Sequence, residues 1–277
     1  MISLALLYRG VNILIWIIFY FNVIIENTQA SNAWFILMLG SWFIGLSKSG
    51  LMPGLGLLAI PLWSAYMHPL KAAAIVLPQL WVMDMVLVIR YWHTWRRDML
   101  RWLLPQGLLG VVLAWVILGK ISVSALMWFL GLLCICYGIQ GIWQWSYPER
   151  EHMPIYQYSY WSIGAGFASF IGQAGGPFIK LYLLPRAMKK SVYLGTTGVY
   201  FFFINGAKLI PYAHLGMMDL STATLSMMLL PVAVLGILMG SCMLNFFNEN
   251  IFYRINYLSL LFTGTKIIID EWLNRPL

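Results

Sequence analysis

A chain of 277 residues that is 61% hydrophobic, 16% aromatic and only 9% charged lies far from a soluble globular domain, of which roughly 25% is charged. Its apolar runs recur from Val11 to Thr265. They are too widely spread for a signal peptide or a single anchor, and they stay apolar on every side, which excludes the alternating strands of a β-barrel. The net charge of +8 is carried largely by short loops between the runs, as topology signals are, which argues against nucleic acid and for a lipid bilayer as the partner.

In chain order, the first candidate span covers about Val11 to Ile25, within an N-terminal unit over residues 1–30. A first block follows over 31–145. The most polar stretch, 146–159, with Pro148, Glu149, Arg150, Glu151, His152 and Pro154, reads as a cytoplasmic linker, and a second block covers 160–277. The two blocks repeat each other. Leu103-Leu104-Pro105 and Gly110 match Leu229-Leu230-Pro231 and Gly236 at an offset of 126 residues, as Gly138 matches Gly264. Gly40 with Gly164, Phe43 with Phe167 and Pro61 with Pro185 match at 124. Matches in order and near one offset point to a duplicated unit.

Each block opens with a short apolar piece, a Gly- and Pro-rich break and another short piece. Residues 33–46 would make ~21 Å of helix against ~30 Å of hydrocarbon. The breaks are 47–56 in the first block and 172–177 in the second. Irregular backbone at membrane depth persists only where protein or a water-filled cavity satisfies it, and Pro53 and Pro177 suit the first turn of a following half-helix. Two re-entrant hairpins are therefore predicted, with their tips meeting inside the bilayer.

Loop 92–102 carries Arg96, Arg97 and Arg101, whereas its repeat partner 212–222 carries no Lys or Arg; loop 186–191 carries Arg186, Lys189 and Lys190, against Lys71 alone in 67–71. Equivalent loops thus face opposite sides, the mark of an inverted repeat. The expected fold is all-α and polytopic: one N-terminal helix, then two inverted repeats, each a re-entrant hairpin plus three spans. That gives seven crossings in a cell membrane, such as a bacterial inner membrane, with a cytoplasmic N-terminus. A homo-oligomer is compatible with it.

Cys134, Cys136 and Cys242 lie inside apolar runs and read as small hydrophobes, and His68, His93, His152 and His214 are scattered one to a loop. No metal site and no cofactor are expected.

Inverted repeats with broken helices are a transporter architecture, with substrate bound near the midplane. Of nine acidic residues only Asp84 lies deep in a span, while Lys48, Lys180 and Lys208 sit in or beside broken or apolar segments. Ionisable groups at that depth cost ~2.5 kcal/mol or more and usually face a cavity. A small anion is the substrate these residues suit. Half-helix N-termini near Pro53 and Pro177 offer unpaired N–H groups, with Ser49, Gly50, Gly175 and Gly176 in the breaks. Gln173, Thr196, Thr197 and Asn205 supply neutral donors. The bland reading is that the lysines snorkel and the hydroxyls bond their own helices. Asp84 is a proton carrier for coupling, a partner neutralising one of the lysines, or an idle structural carboxylate. An intramembrane enzyme finds no Gly-x-Ser-x-Gly nucleophile and no intramembrane histidine; a transport-inactive assembly subunit is the third reading.

Gly172-Gln173-Ala174-Gly175-Gly176-Pro177-Phe178-Ile179-Lys180, then Gly195-Thr196-Thr197, Asn205-Gly206-Ala207-Lys208, His214-Leu215-Gly216 and Leu230-Pro231 resemble the sulfite exporter TauE/SafE family of membrane permeases. In the first block Gly45-Leu46-Ser47-Lys48-Ser49-Gly50, Pro61-Leu62, Leu77-Pro78, Asp84 and Leu104-Pro105 agree. The resemblance covers roughly residues 33–270. It implies a gradient-driven permease, commonly an exporter, for sulfite or organosulfonates. Ala174 stands where that family usually has another glycine, Lys180 where a neutral residue is expected, and the N-terminal helix looks additional.

Overall fold

The computed structural model describes residues 28–51, 55–64, 66–118, 123–144, 156, 159–186 and 188–273. The N-terminal span expected over Val11 to Ile25, Pro53 and nearly all of the 146–159 linker lie outside them. Among the described residues the chain is helical throughout, with no strand. We number the helices α1 (Thr28–Lys48), α2 (Ala59–Ser64, entered through a 3-10 turn at Leu55–Leu58), α3 (Pro69–Arg90), α4 (Arg97–Ile117) and α5 (Val123–Gln144). They continue as α6 (Trp161–Gly172), α7 (Gly175–Leu183, left through a 3-10 turn at Leu184–Arg186), α8 (Lys190–His214), α9 (Leu220–Leu244) and α10 (Glu249–Leu273).

Among the described residues three segments are long and apolar enough to cross a membrane by length and composition: Lys71–Arg90, Arg97–Ile117 and Leu220–Leu244. The outer faces of α4 and α9 expose Leu109, Val112, Val116, Leu235, Leu238 and Met239, a surface suited to lipid rather than to water. In the second block α6 and α7 are 12 and 9 residues long, about 18 and 14 Å, too short to span, as expected. In the first block the outcome differs. The piece expected over 33–46 is part of α1, which at 21 residues reaches ~31 Å. Thr28–Asn32 contain no Gly or Pro to stop the helix, so the apolar run underestimates it.

The packing pairs α1 with α9, α4 with α6, α3 with α8 and α5 with α10. Glycines let the first two pairs approach to backbone contact. A Cβ on Gly236 would lie 2.7 Å from the Trp42 carbonyl of α1, and one on Gly110 would lie 2.9 Å from the Phe167 nitrogen of α6. At one end of the bundle Thr94 Oγ1 donates to the Ser191 carbonyl at 3.1 Å and the Lys190 N–H donates to Glu249 at 2.6 Å. The basic loops 92–102 and 186–191 therefore share an end. At the other end Trp115 stacks on His214 with centroids 6.2 Å apart.

Candidate functional site

Both breaks end the preceding helix in a left-handed residue. Gly50 follows α1 with φ 83°, a conformation that costs glycine little, and Gln173 caps α6 with φ 54°, where a side chain is strained. The Gln173 N–H donates to the Ser169 carbonyl and the Ala174 N–H to the Ala168 carbonyl, each at 3.2 Å, closing α6. The chain then re-enters helix at Gly175-Gly176-Pro177, with Pro177 in the first turn, where its missing N–H is no loss. The two turns direct Lys48 and the α6–α7 junction into one interior.

There, Lys48 Nζ forms an ion pair with Asp84 Oδ1 from α3, and Asn205 Nδ2 from α8 donates to the other oxygen, Asp84 Oδ2, at 2.6 Å. Asp84 is wholly buried, and the Lys48 ammonium also lies 4.7 Å from the centroid of the Phe201 ring, a cation–π contact. Of the readings left open for Asp84, the pairing with a lysine is present in this arrangement. Lys208, also wholly buried, donates to the Ser169 carbonyl and Ser169 Oγ, each at 2.9 Å, and to Gln173 Oε1. It thereby neutralises the negative end of α6. Lys180 donates to Ser259 Oγ of α10 at 2.7 Å and has no carboxylate partner among the described residues.

A cavity of about 500 Å³ joins these groups. Of the residues singled out in the sequence, Lys48, Gly50, Asp84, Gln173, Gly176, Pro177, Lys180, Thr197 and Asn205 line it. Four lie off its wall. Ser49 Oγ bonds back to the Leu46 carbonyl of its own helix at 2.7 Å. Thr196 accepts the Arg96 N–H at 3.1 Å, in the packing against the α3–α4 loop. Gly175 is packed between Ala165 and Ser169, and Lys208 is turned into the end of α6. Pro53 is outside the described residues. The wall also includes Asn256, Thr263, Lys266 and Asp270 of α10, which sequence reasoning passed over. With Ser259 they form one stripe, spaced 3, 4, 3 and 4 residues apart, and that spacing was the available signal. Lys266 and Asp270 are ion-paired to each other.

Lipid-suited exterior and charged interior cavity together define an α-helical membrane protein built around a polar site. The chain belongs to the sulfite exporter TauE/SafE family: the family model of that description matches residues 37–267. That is a family of membrane permeases for sulfur anions. No curated protein and no solved structure matches the chain.

Proposed function

We propose that this chain is a secondary transporter that carries a small sulfur oxyanion or organosulfonate, such as sulfite, by exposing the cavity to the two membrane faces in turn. The observation that carries the reading is the Lys48–Asp84–Asn205 group on the wall of a cavity bounded by both helix breaks. A cation held by a carboxylate that can take up a proton is a site where anion and proton affinities are linked. Asp84 is the coupling residue in this reading. Lys48, Lys180, Gln173, Thr197, Asn205 and the α7 start at Gly176-Pro177 form the anion site.

Alternating exposure is supported by reciprocity in the packing. A Cβ on Gly138 would meet Leu261 at 2.6 Å and one on Gly264 would meet Ile135 at 2.9 Å; shifting either pair by 126 residues gives the other. Likewise Gly110 and Gly236, 126 apart, each lie against the first helix of the other block. Two blocks that trade contacts in this way fit an inverted repeat, in which each block can adopt the other's conformation. In this reading the end with the basic loops 92–102 and 186–191 faces the cytoplasm, as an excess of Lys and Arg favours.

Sulfite flux into liposomes containing the purified protein tests the reading. Saturable uptake that rises with an imposed pH gradient is expected, and flux no greater than in protein-free liposomes would refute it.

A further inference from the structure

Asn205 has two hydrogen-bonding edges, and one is idle. Its Nδ2 donates to Asp84, while its Oδ1 has no partner among the described residues, although the residue is 1% exposed and lines the cavity. A buried acceptor left unpaired is costly, so its orientation needs a cause. The cause is Asp84: an ionised carboxylate only accepts, so the amide must turn its N–H toward it. A protonated Asp84 reverses the demand. Its O–H donates to Oδ1, the amide turns over about its Cβ–Cγ bond, and the NH₂ group moves to the edge away from Asp84.

We propose that Asn205 is the relay through which a proton on Asp84 controls anion binding. With Asp84 ionised, the amide keeps its carbonyl oxygen on the edge away from Asp84, as here, and an oxyanion approaching that edge is repelled. With Asp84 protonated, it presents two N–H donors, which hold one. The same proton releases Lys48 from its ion pair, so both changes favour the anion, and one proton enters with one anion. The charged groups facing Asp84 are Lys48 from α1 and Lys208 from α8; Lys208 stays committed to Ser169 and Gln173 in either state. Asn205 is a binding residue as well as the relay here, and the inference rests on the transporter reading above.

Methanesulfonate keeps its single charge across the usable pH range, which makes it the probe for the purified full-length protein. It is expected to bind about tenfold more tightly at mildly acidic than at mildly alkaline pH. Asn205→Leu keeps the Lys48–Asp84 pair but has no edge to turn, and its pH dependence should shrink to roughly threefold or less, the part due to Lys48 alone. Asn205→Ala serves if the leucine variant does not fold. Asp84→Asn, whose amide donates to Oδ1 at every pH, should bind tightly under both conditions. A full-sized pH dependence in the Asn205 variants, or one that persists in Asp84→Asn, overturns the relay while leaving the transporter reading intact. Failure of the native protein to bind either methanesulfonate or sulfite at both pH values removes the transporter reading, and the relay with it.

Discussion

Removing Lys48 leaves the wholly buried Asp84 with Asn205 as its remaining direct partner. Breaking a buried ion pair from one side typically costs about 3–5 kcal/mol, whereas removing both charges is often near neutral. Lys48→Met should therefore unfold earlier on heating in detergent than the double variant Lys48→Met with Asp84→Asn. Equal melting points would mean that the carboxylate left without its lysine costs nothing. On function, Lys48→Ala should raise the half-saturation concentration for sulfite by about tenfold or more, since a charge-assisted contact is lost in a low-dielectric site. Asp84→Asn should instead abolish pH-driven accumulation in liposomes while sulfite exchange continues. Retention of both properties would make the two residues structural. The sequence marked both because charges at membrane depth are few. It could not separate Thr197 from Thr196, nor Gly50 from Ser49. Neighbours on a helix point about 100° apart, so which threonine meets the cavity depends on how α8 is rotated, and Ser49 and Gly50 are sorted by the left-handed turn that follows α1, both properties of packing rather than composition.

At the scale of the element, α9 begins where Asp219 accepts the Thr222 N–H at 2.7 Å. That contact, with help from the Ser221 hydroxyl, holds the Asp219 carboxyl down at about 2, below its ordinary value. A group whose folded value is depressed stabilises above its unfolded value and loses that contribution as pH falls through the folded one. The cap should persist through mild acid and fail only as the pH approaches about 2. Asn caps as well as Asp does, so Asp219→Asn should protect the Thr222 amide from hydrogen exchange and Asp219→Ala should not. Helix crossings give a second test. A Cβ on Gly45 would lie 2.8 Å from the Ile237 nitrogen of α9, and one on Gly166 would lie 2.8 Å from the Gly107 carbonyl carbon of α4. Gly45→Val and Gly166→Val should each lower stability by about 1–3 kcal/mol or more, read as thermal unfolding in detergent. The breaks were legible from Gly and Pro, whereas the true length of α1 was not, because a helix does not stop where hydropathy does. The stripe on α10 was written in the sequence at helical spacing but is diluted among apolar neighbours.

Across the whole molecule, the proposed sidedness puts Arg97 in the cytoplasm and His214 outside. In a chain with Cys136 and Cys242 replaced, cysteine at 214 should react with an impermeant reagent on intact cells and cysteine at 97 should be protected. Equal labelling would end the inverted-repeat reading. The helical class was legible because membrane solvent dictates it, a chain with these continuous apolar runs having to satisfy its backbone within helices, and the family was legible in ordered motifs such as residues 172–180 and 205–208. Pairings such as α5 with α10 were not, since they join residues about 126 positions apart through small residues that any apolar helix contains.

Gln173 carries a further consequence. A left-handed φ costs a side chain about 1 kcal/mol that glycine avoids, yet this glutamine supplies the oxygen to which Lys208 donates and part of the cavity wall. Gln173→Gly would relax the backbone and blank the wall at one stroke. The strain relieved is smaller than the loss of a charge-assisted bond to the wholly buried Lys208, about 1.5–3 kcal/mol, so a laboratory selection for heat resistance would keep the strained glutamine and the site wall with it.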